Sequence, residues 1–162
     1  MALASDALGC PATIPFLICR SQAWLCGLPV DRVVETMRPL PLEALPGMPP
    51  AVLGTSIIRG AAVPVLDLAA LTGAKTRAPP GRYVSLNLGE GRRVALAVED
   101  VLGLRELDTA FLDEVPPLLR DAAAEAVSSI SSLDGELLLV LHAARLIPEP
   151  MWAQIDMGVA FQ

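Results

Sequence analysis

Apolar residues along the chain fall into short runs of about five, broken by glycine, proline and acidic turns; this is the pattern of a β-rich protein. The first run, 16–20, meets a second, 24–28, across a turn at Ser21 and Gln22, which predicts a hairpin. Pro29 ends it. Residues 30–35 place Val30, Val33 and Val34 on one side of a helical turn. Five prolines between 39 and 50 (Pro39, Pro41, Pro46, Pro49 and Pro50) demand a loop. The runs 52–58 and 61–66 flank an Arg59-Gly60 turn, and Pro64 confines the second to an edge or a bulge. Asp67 is placed to cap a short helix at 68–71, and Gly73 to stop it in a left-handed conformation. Residues 74–81 read as a linker. The order then restarts, with strands at 83–87 and 93–98 around Gly89-Glu90-Gly91 and a further strand at 101–105. A short helix is expected at 118–125. A last hairpin, 128–133 and 137–141, turns at Asp134-Gly135. Residues 142–146 and 151–160 are helix-like, and 1–14 form a flexible lead.

The restart is an internal repeat. Leu28-Pro29-Val30-Asp31-Arg32-Val33-Val34 aligns with Leu96-Ala97-Val98-Glu99-Asp100-Val101-Leu102 at an offset of 68. The run from Gly60 to Leu71 aligns with that from Gly135 to Leu146 at an offset of 75, and both leave an apolar strand for a helix-like segment. Each copy holds about five short strands. A sheet of five strands must close or cover its edges, so two small barrels side by side, with a groove at their junction, satisfy the pattern.

Composition narrows what such a pair of barrels does. The 162 residues suit one domain with a substantial core. Apolar residues make up 53% and charged residues 19%, which argues against disorder, and no apolar run approaches the length needed to cross a bilayer. Twelve basic against eighteen acidic residues give a net charge of −6, which disfavours nucleic acid as a partner. Ten of the eighteen acids lie between 99 and 136; they form a solvated face or, as the sharper alternative, a docking surface for a basic partner. The three cysteines lack paired spacing and read as reduced thiols in a cytosolic protein. Cys19 and Cys26 fall on adjacent strands as two small buried hydrophobes, with a redox pair as the alternative. His142 is the one histidine and reads as structural. No nucleophile elbow, phosphate loop or metal-ligand spacing is present, so no catalytic, metal or cofactor site is expected.

The stretch Gly54-Thr55-Ser56-Ile57-Ile58-Arg59-Gly60-Ala61-Ala62-Val63-Pro64-Val65-Leu66-Asp67-Leu68 resembles the signature of the CheW-like domain family. The opening strand at 16–18, the segment 27–35, the proline loop at 45–49, and 94–102 with 135–146 match in order, covering 16–147. The chain departs from the family at Ser56-Ile57-Ile58, where a polar residue and leucine usually precede Arg-Gly, and at His142, where Asp or Asn is frequent. The resemblance implies a mainly β fold: two five-stranded SH3-like β-barrels related by a pseudo-twofold, with short helices and a C-terminal helix. The expected division is a CheW-like domain over 15–150, its barrels near 15–81 and 82–150 with their ends open to exchange, and a helix or tail at 151–162. The implied role is that of a non-catalytic adaptor, coupling the cytoplasmic tips of chemoreceptors to the regulatory domain of a CheA-type histidine kinase. It is recruited from the cytoplasm to receptor arrays without entering the membrane. A scaffold in a surface-sensing or gliding pathway is the alternative, and a small-molecule-binding barrel stands behind it. Arg59, Gly60, Val33, Val34, Glu35, Ile57 and Ile58 are the expected partner-binding residues. Arg59 is the anchor, Glu35 contacts the receptor or orients Arg59, and the four apolar residues floor the groove. A local ion pair of Arg59 with Glu35 or Asp67 is the plainer alternative.

Overall fold

The computed structural model describes residues 13–21, 24–44, 46–72, 79–114 and 127–142, together with Ile147, Glu149, Pro150, Trp152, Ala153 and Ile155. The described residues include ten strands: β1 (Thr13–Ser21), β2 (Trp24–Pro29), β3 (Val33–Met37), β4 (Val52–Ile58), β5 (Ala61–Asp67), β6 (Arg82–Gly89), β7 (Arg92–Val98), β8 (Asp100–Asp108), β9 (Val127–Leu133) and β10 (Glu136–Leu141). One short helix, α1 (Leu68–Leu71), follows β5, and 3-10 turns occupy Val30–Arg32 and Thr109–Phe111.

The strands form two five-stranded sheets, in the orders β8-β1-β2-β10-β9 and β3-β6-β7-β5-β4. The orders are identical once β1 to β5 are equated with β6 to β10. The registers agree as well. Val140 lies opposite Gly27 in the parallel contact of the first sheet, and Val65 opposite Ala95 in that of the second. These are the same two positions of the repeat, displaced by the offsets read from the sequence.

The repeat copies do not each close on themselves. The second sheet is built from the continuous stretch β3 to β7, and the first joins β1 and β2 to β8, β9 and β10. Each copy therefore lends its last three strands to the other, and neither sheet coincides with a division of the chain near residue 81. Two short connections carry the exchange: the 3-10 turn Val30–Arg32 and the single residue Glu99, whose N–H donates to the Arg20 carbonyl at 2.9 Å. The expected helical turn over 30–35 is thus confined to its first three residues. Val33, Val34 and Glu35 are already extended, because β3 finds a partner in β6.

Three apolar clusters result. Phe16, Ile18, Leu25, Leu107, Leu138 and Val140 fill the first barrel. Ile58, Val63, Val65, Tyr83, Ala95 and Ala97 fill the second. The largest cluster joins them, with Leu17, Cys19, Cys26 and Leu28 meeting Val84, Leu86, Val94 and Leu96, and with Ile147, Trp152 and Ile155 closing over it. Strands β1, β2, β6 and β7 thus bury both faces, which explains the continuous apolar runs of β1, β2 and β7; in β6 the polar Ser85 is buried among apolar neighbours.

Turn and cap chemistry follow the sequence. The hairpins at Arg59-Gly60, Glu90-Gly91 and Asp134-Gly135 put both central residues at positive φ (55° and 80°, 55° and 75°, 52° and 82°), the two-residue geometry that matches strand twist and calls for glycine second. Pro64 does not confine β5 to an edge or a bulge, as expected: the strand lies between β7 and β4, and the proline is tolerated because pairing with β7 begins only at Val65, so its missing N–H breaks no ladder on that side. Asp67 Oδ1 accepts from the Ala69 N–H at 3.1 Å and caps α1. Trp152, Ala153 and Ile155 are helical, within the expected terminal helix. Of the lead expected at 1–14, Thr13 and Ile14 instead open β1, where they pair with Asp108 and Leu107 of β8; the rest of it, the turn residue Gln22, the stop at Gly73, the helix at 118–125 and residues 143–146 lie outside the described residues.

Candidate functional site

The β4–β5 turn places Arg59 at the outer end of the second barrel. Its guanidinium reaches β3 and closes on Glu35 with two parallel bonds, Nε to Oε2 at 2.9 Å and Nη2 to Oε1 at 2.8 Å. Asp67 is occupied at the far end of β5 with the helix cap, so Glu35 is the local partner. The hydrogen bonds from Arg59 come first among the causes that hold the Glu35 carboxyl below its ordinary value of 4.5. The arginine side chain remains 71% exposed against 26% for Glu35, so the glutamate fixes the guanidinium while leaving much of it open to solvent.

Apolar surface lies beside this pair. Ile57 is 67% exposed and Val34 44%. Val34 is outward because the register of β3 with β6 slips between Val33 and Glu35, a bulge that lifts one residue out of the ladder. Val33 is half-buried against the central core. Gly60 supplies the turn. Ile58, expected on the groove floor, is corrected: it is 3% exposed and packs inside the second barrel with Val63 and Tyr83. Period-two alternation sends Ile57 out and Ile58 in, and two adjacent isoleucines are alike in residue type, so pattern alone does not choose which faces outward. The structure brings Val34, Glu35, Ile57, Arg59 and Gly60 to one end of the molecule.

On the first barrel, a groove of about 580 Å³ is lined by Phe16, Pro29, Val30, Leu112 and His142 among others. It runs beside the 3-10 turn that joins the barrels. His142 occupies the position equivalent to Asp67, but its Nδ1 is buried without a partner among the described residues. Leu102 and Leu104 are exposed features the sequence reading left without a role. The repeat offers the signal: Leu102 is the counterpart of Val34, and β8 slips against β1 at the matching place.

Cys19 and Cys26 face each other across β1 and β2 as free, buried thiols. Burial, then the charge of Asp100, pushes Cys19 up to about 12, and burial also raises Cys26. Thiols so placed carry little thiolate and little reactivity. Among the described residues, no group of three or more His, Cys, Asp or Glu is placed to hold a metal, and no helix is long and apolar enough to cross a membrane.

The sequence profile of the CheW-like domain matches residues 15–151. The chain belongs to the CheW-like domain family. It is 36% identical over 125 residues to Protein FrzA of Myxococcus xanthus, covering 75% of this chain and 77% of that protein. A probable chemotaxis protein CheW of Rhizobium etli is 27% identical over 110 residues, covering 67% of this chain and 71% of the relative. The crystal structure of the scaffolding protein TtCheW from Thermoanaerobacter tengcongensis superposes with a TM-score of 0.73 at 20% identity, over 84% of this chain and 93% of that one. The paired barrels are therefore a CheW-like fold, and this is a CheW-type coupling or scaffold protein.

Proposed function

We propose that this CheW-type protein acts without catalysis in the cytoplasm, joining the helical tip of a chemoreceptor to the regulatory domain of a CheA-type histidine kinase. The turn Arg59-Gly60, with Glu35, Val34 and Ile57, forms one contact surface; Val33 backs it from the core side. The observation that carries this reading is the coincidence of an exposed but oriented guanidinium with an exposed isoleucine. A cation held by a bidentate carboxylate loses little freedom on binding, and an adjacent apolar side chain gains by being covered. The groove beside Val30 supplies a second apolar surface of a size that accepts helix side chains.

The test is binding of the purified protein to receptor-containing membranes with kinase present. Arg59→Ala is expected to weaken retention about tenfold or more, the scale of an interface anchor, while the thermal midpoint stays within a few degrees. Retention equal to that of the unaltered protein would rule out this surface.

A further inference from the structure

Three of the acidic residues that crowd 99–136, Glu106, Asp108 and Asp113, border a groove in the first barrel. Each sheet ends in two edge strands that must approach each other to close a barrel: β3 and β4 in the second, β8 and β9 in the first. In the second barrel the loop after β3 lies in this seam. Glu43 and Thr55 exchange two backbone bonds at 2.8 Å. Ser56 Oγ donates to the Pro41 carbonyl at 2.8 Å, and the Tyr83 hydroxyl to that of Leu40 at 3.3 Å. In the first barrel the equivalent backbone bridge is present, Asp113 with Ile130 at 2.8 and 2.9 Å. Among the described residues the side-chain ties are not: Phe16 stands where the repeat has Tyr83 and has no hydroxyl, and Ser131, the counterpart of Ser56, lines a groove.

That groove has a volume of about 610 Å³ and runs between the two edges. Its floor is Leu107, Ile130 and Leu137, and its walls carry Glu106, Asp108 and Asp113 with no cation among the described lining residues. Among the described residues Glu106 accepts only from the Thr13 hydroxyl at 3.3 Å, and Asp108 caps the Thr109–Phe111 turn through the Ala110 N–H at 2.9 Å. Neither bond neutralises charge. Asp113 has no side-chain partner among the described residues.

We propose that this seam is a docking site for an extended, basic, amphipathic segment of a partner protein. Asp113 already occupies the backbone of Ile130, so side chains and not a strand ladder would hold the segment. The floor takes its apolar side chains, and the three carboxylates take lysine or arginine on its rim. Charge complementarity selects this occupant over an acidic or neutral one. The site lies on the barrel that does not carry Arg59, and its test uses neither receptor nor kinase, so its outcome is independent of the coupling function proposed above.

The probe is a short fluorescein-labelled peptide of alternating lysine and valine, titrated by anisotropy, with a glutamate–valine peptide of equal length beside it. The expected result is saturable binding of the lysine peptide that weakens as salt rises, with amide shifts at Ser131 and Ser132 in heteronuclear NMR spectra. The double variant Glu106→Lys with Asp113→Lys should weaken it about tenfold or more. Should that variant fail to fold, Glu106→Gln is read in its place, with an expected loss of about threefold. Equal binding of both peptides, absence of binding to the unaltered protein, or unchanged affinity in a folded charge variant would overturn the proposal.

Discussion

At the tip of the second barrel, Arg59 leaves the hairpin turn and grips Glu35 on β3. At the matching tip of the first barrel, Asp134 occupies the turn, and its partner Arg105 sits on β8, joined by a single contact of 3.3 Å. Backbone requirements are the same at both tips: the first turn residue takes φ of 55° or 52°, and glycine follows. What differs is the sign of the charge, the number of bonds and the neighbour, Ile57 in one barrel and Ser132 in the other. Duplication has therefore preserved what closes a barrel and released what faces outward. Only the Arg59 tip joins a tightly oriented ion to an exposed apolar residue. Surface function in this molecule has to be sought where the two copies disagree.

The comparison breaks most visibly in the core. Leu96 and Leu138 are both fully buried, the first in the central cluster and the second inside the first barrel. Replacing either by alanine should cost about 2–5 kcal/mol. Amide exchange separates them: Leu96→Ala should lower protection in both sheets, and Leu138→Ala mainly in the sheet of β1, β2 and β8 to β10. Loss confined to one sheet for Leu96→Ala would mean that the central cluster does not couple the barrels.

At the tips, Asp134→Ala should change receptor retention less than about twofold, against the tenfold expected for Arg59→Ala. Equal losses would make the two tips functionally alike. Within the seams, Tyr83→Phe removes one hydroxyl bond to the Leu40 carbonyl and should lower stability by about 1 kcal/mol in urea unfolding. No change would show that the Tyr83 hydroxyl adds nothing to the second seam. The smallest effect is electrostatic. Glu35 is held low by Arg59, so its pairing persists as pH falls through the ordinary glutamate range and is lost only on passing the lowered value. Side-chain carbon NMR should place its midpoint below 4.5, and Arg59→Ala should move it back upward. A midpoint that ignores Arg59 would show an ion pair too loose to orient the guanidinium.

Much of the fold was legible because its determinants are local. Gly60, Gly91 and Gly135 mark the tight hairpins, Asp67 marks the helix cap, and the offsets of the repeat reappear in the strand register. The family resemblance left the barrel ends open to exchange, but the reciprocal loan of strands was not legible in the residues themselves, since β3 could pair with β2 or β6 without altering the apolar pattern. At the site, Arg59 and its bond to Glu35 could be anticipated from residue type and order. The inward turn of Ile58 could not, because a slip of one residue exchanges it with Ile57. The exposure of Val34 depends on a bulge, which leaves no mark in a single sequence. Ile147, Trp152 and Ile155 lie far along the chain from the β strands they cover, and no periodic pattern links them.

The continuous course of β3 to β7 has a consequence for synthesis. A chain leaving the ribosome can close its second barrel once Val98 has emerged, whereas the β1–β2 hairpin must wait for Leu141 before its sheet is complete. At roughly 5–20 residues per second that interval is a few seconds. Throughout it the side chains of Phe16, Ile18 and Leu25, destined for the interior of the first barrel, have no settled home. The nascent hairpin is the part of this protein most in need of chaperone cover, and a stall between residues 98 and 141 is where aggregation should begin.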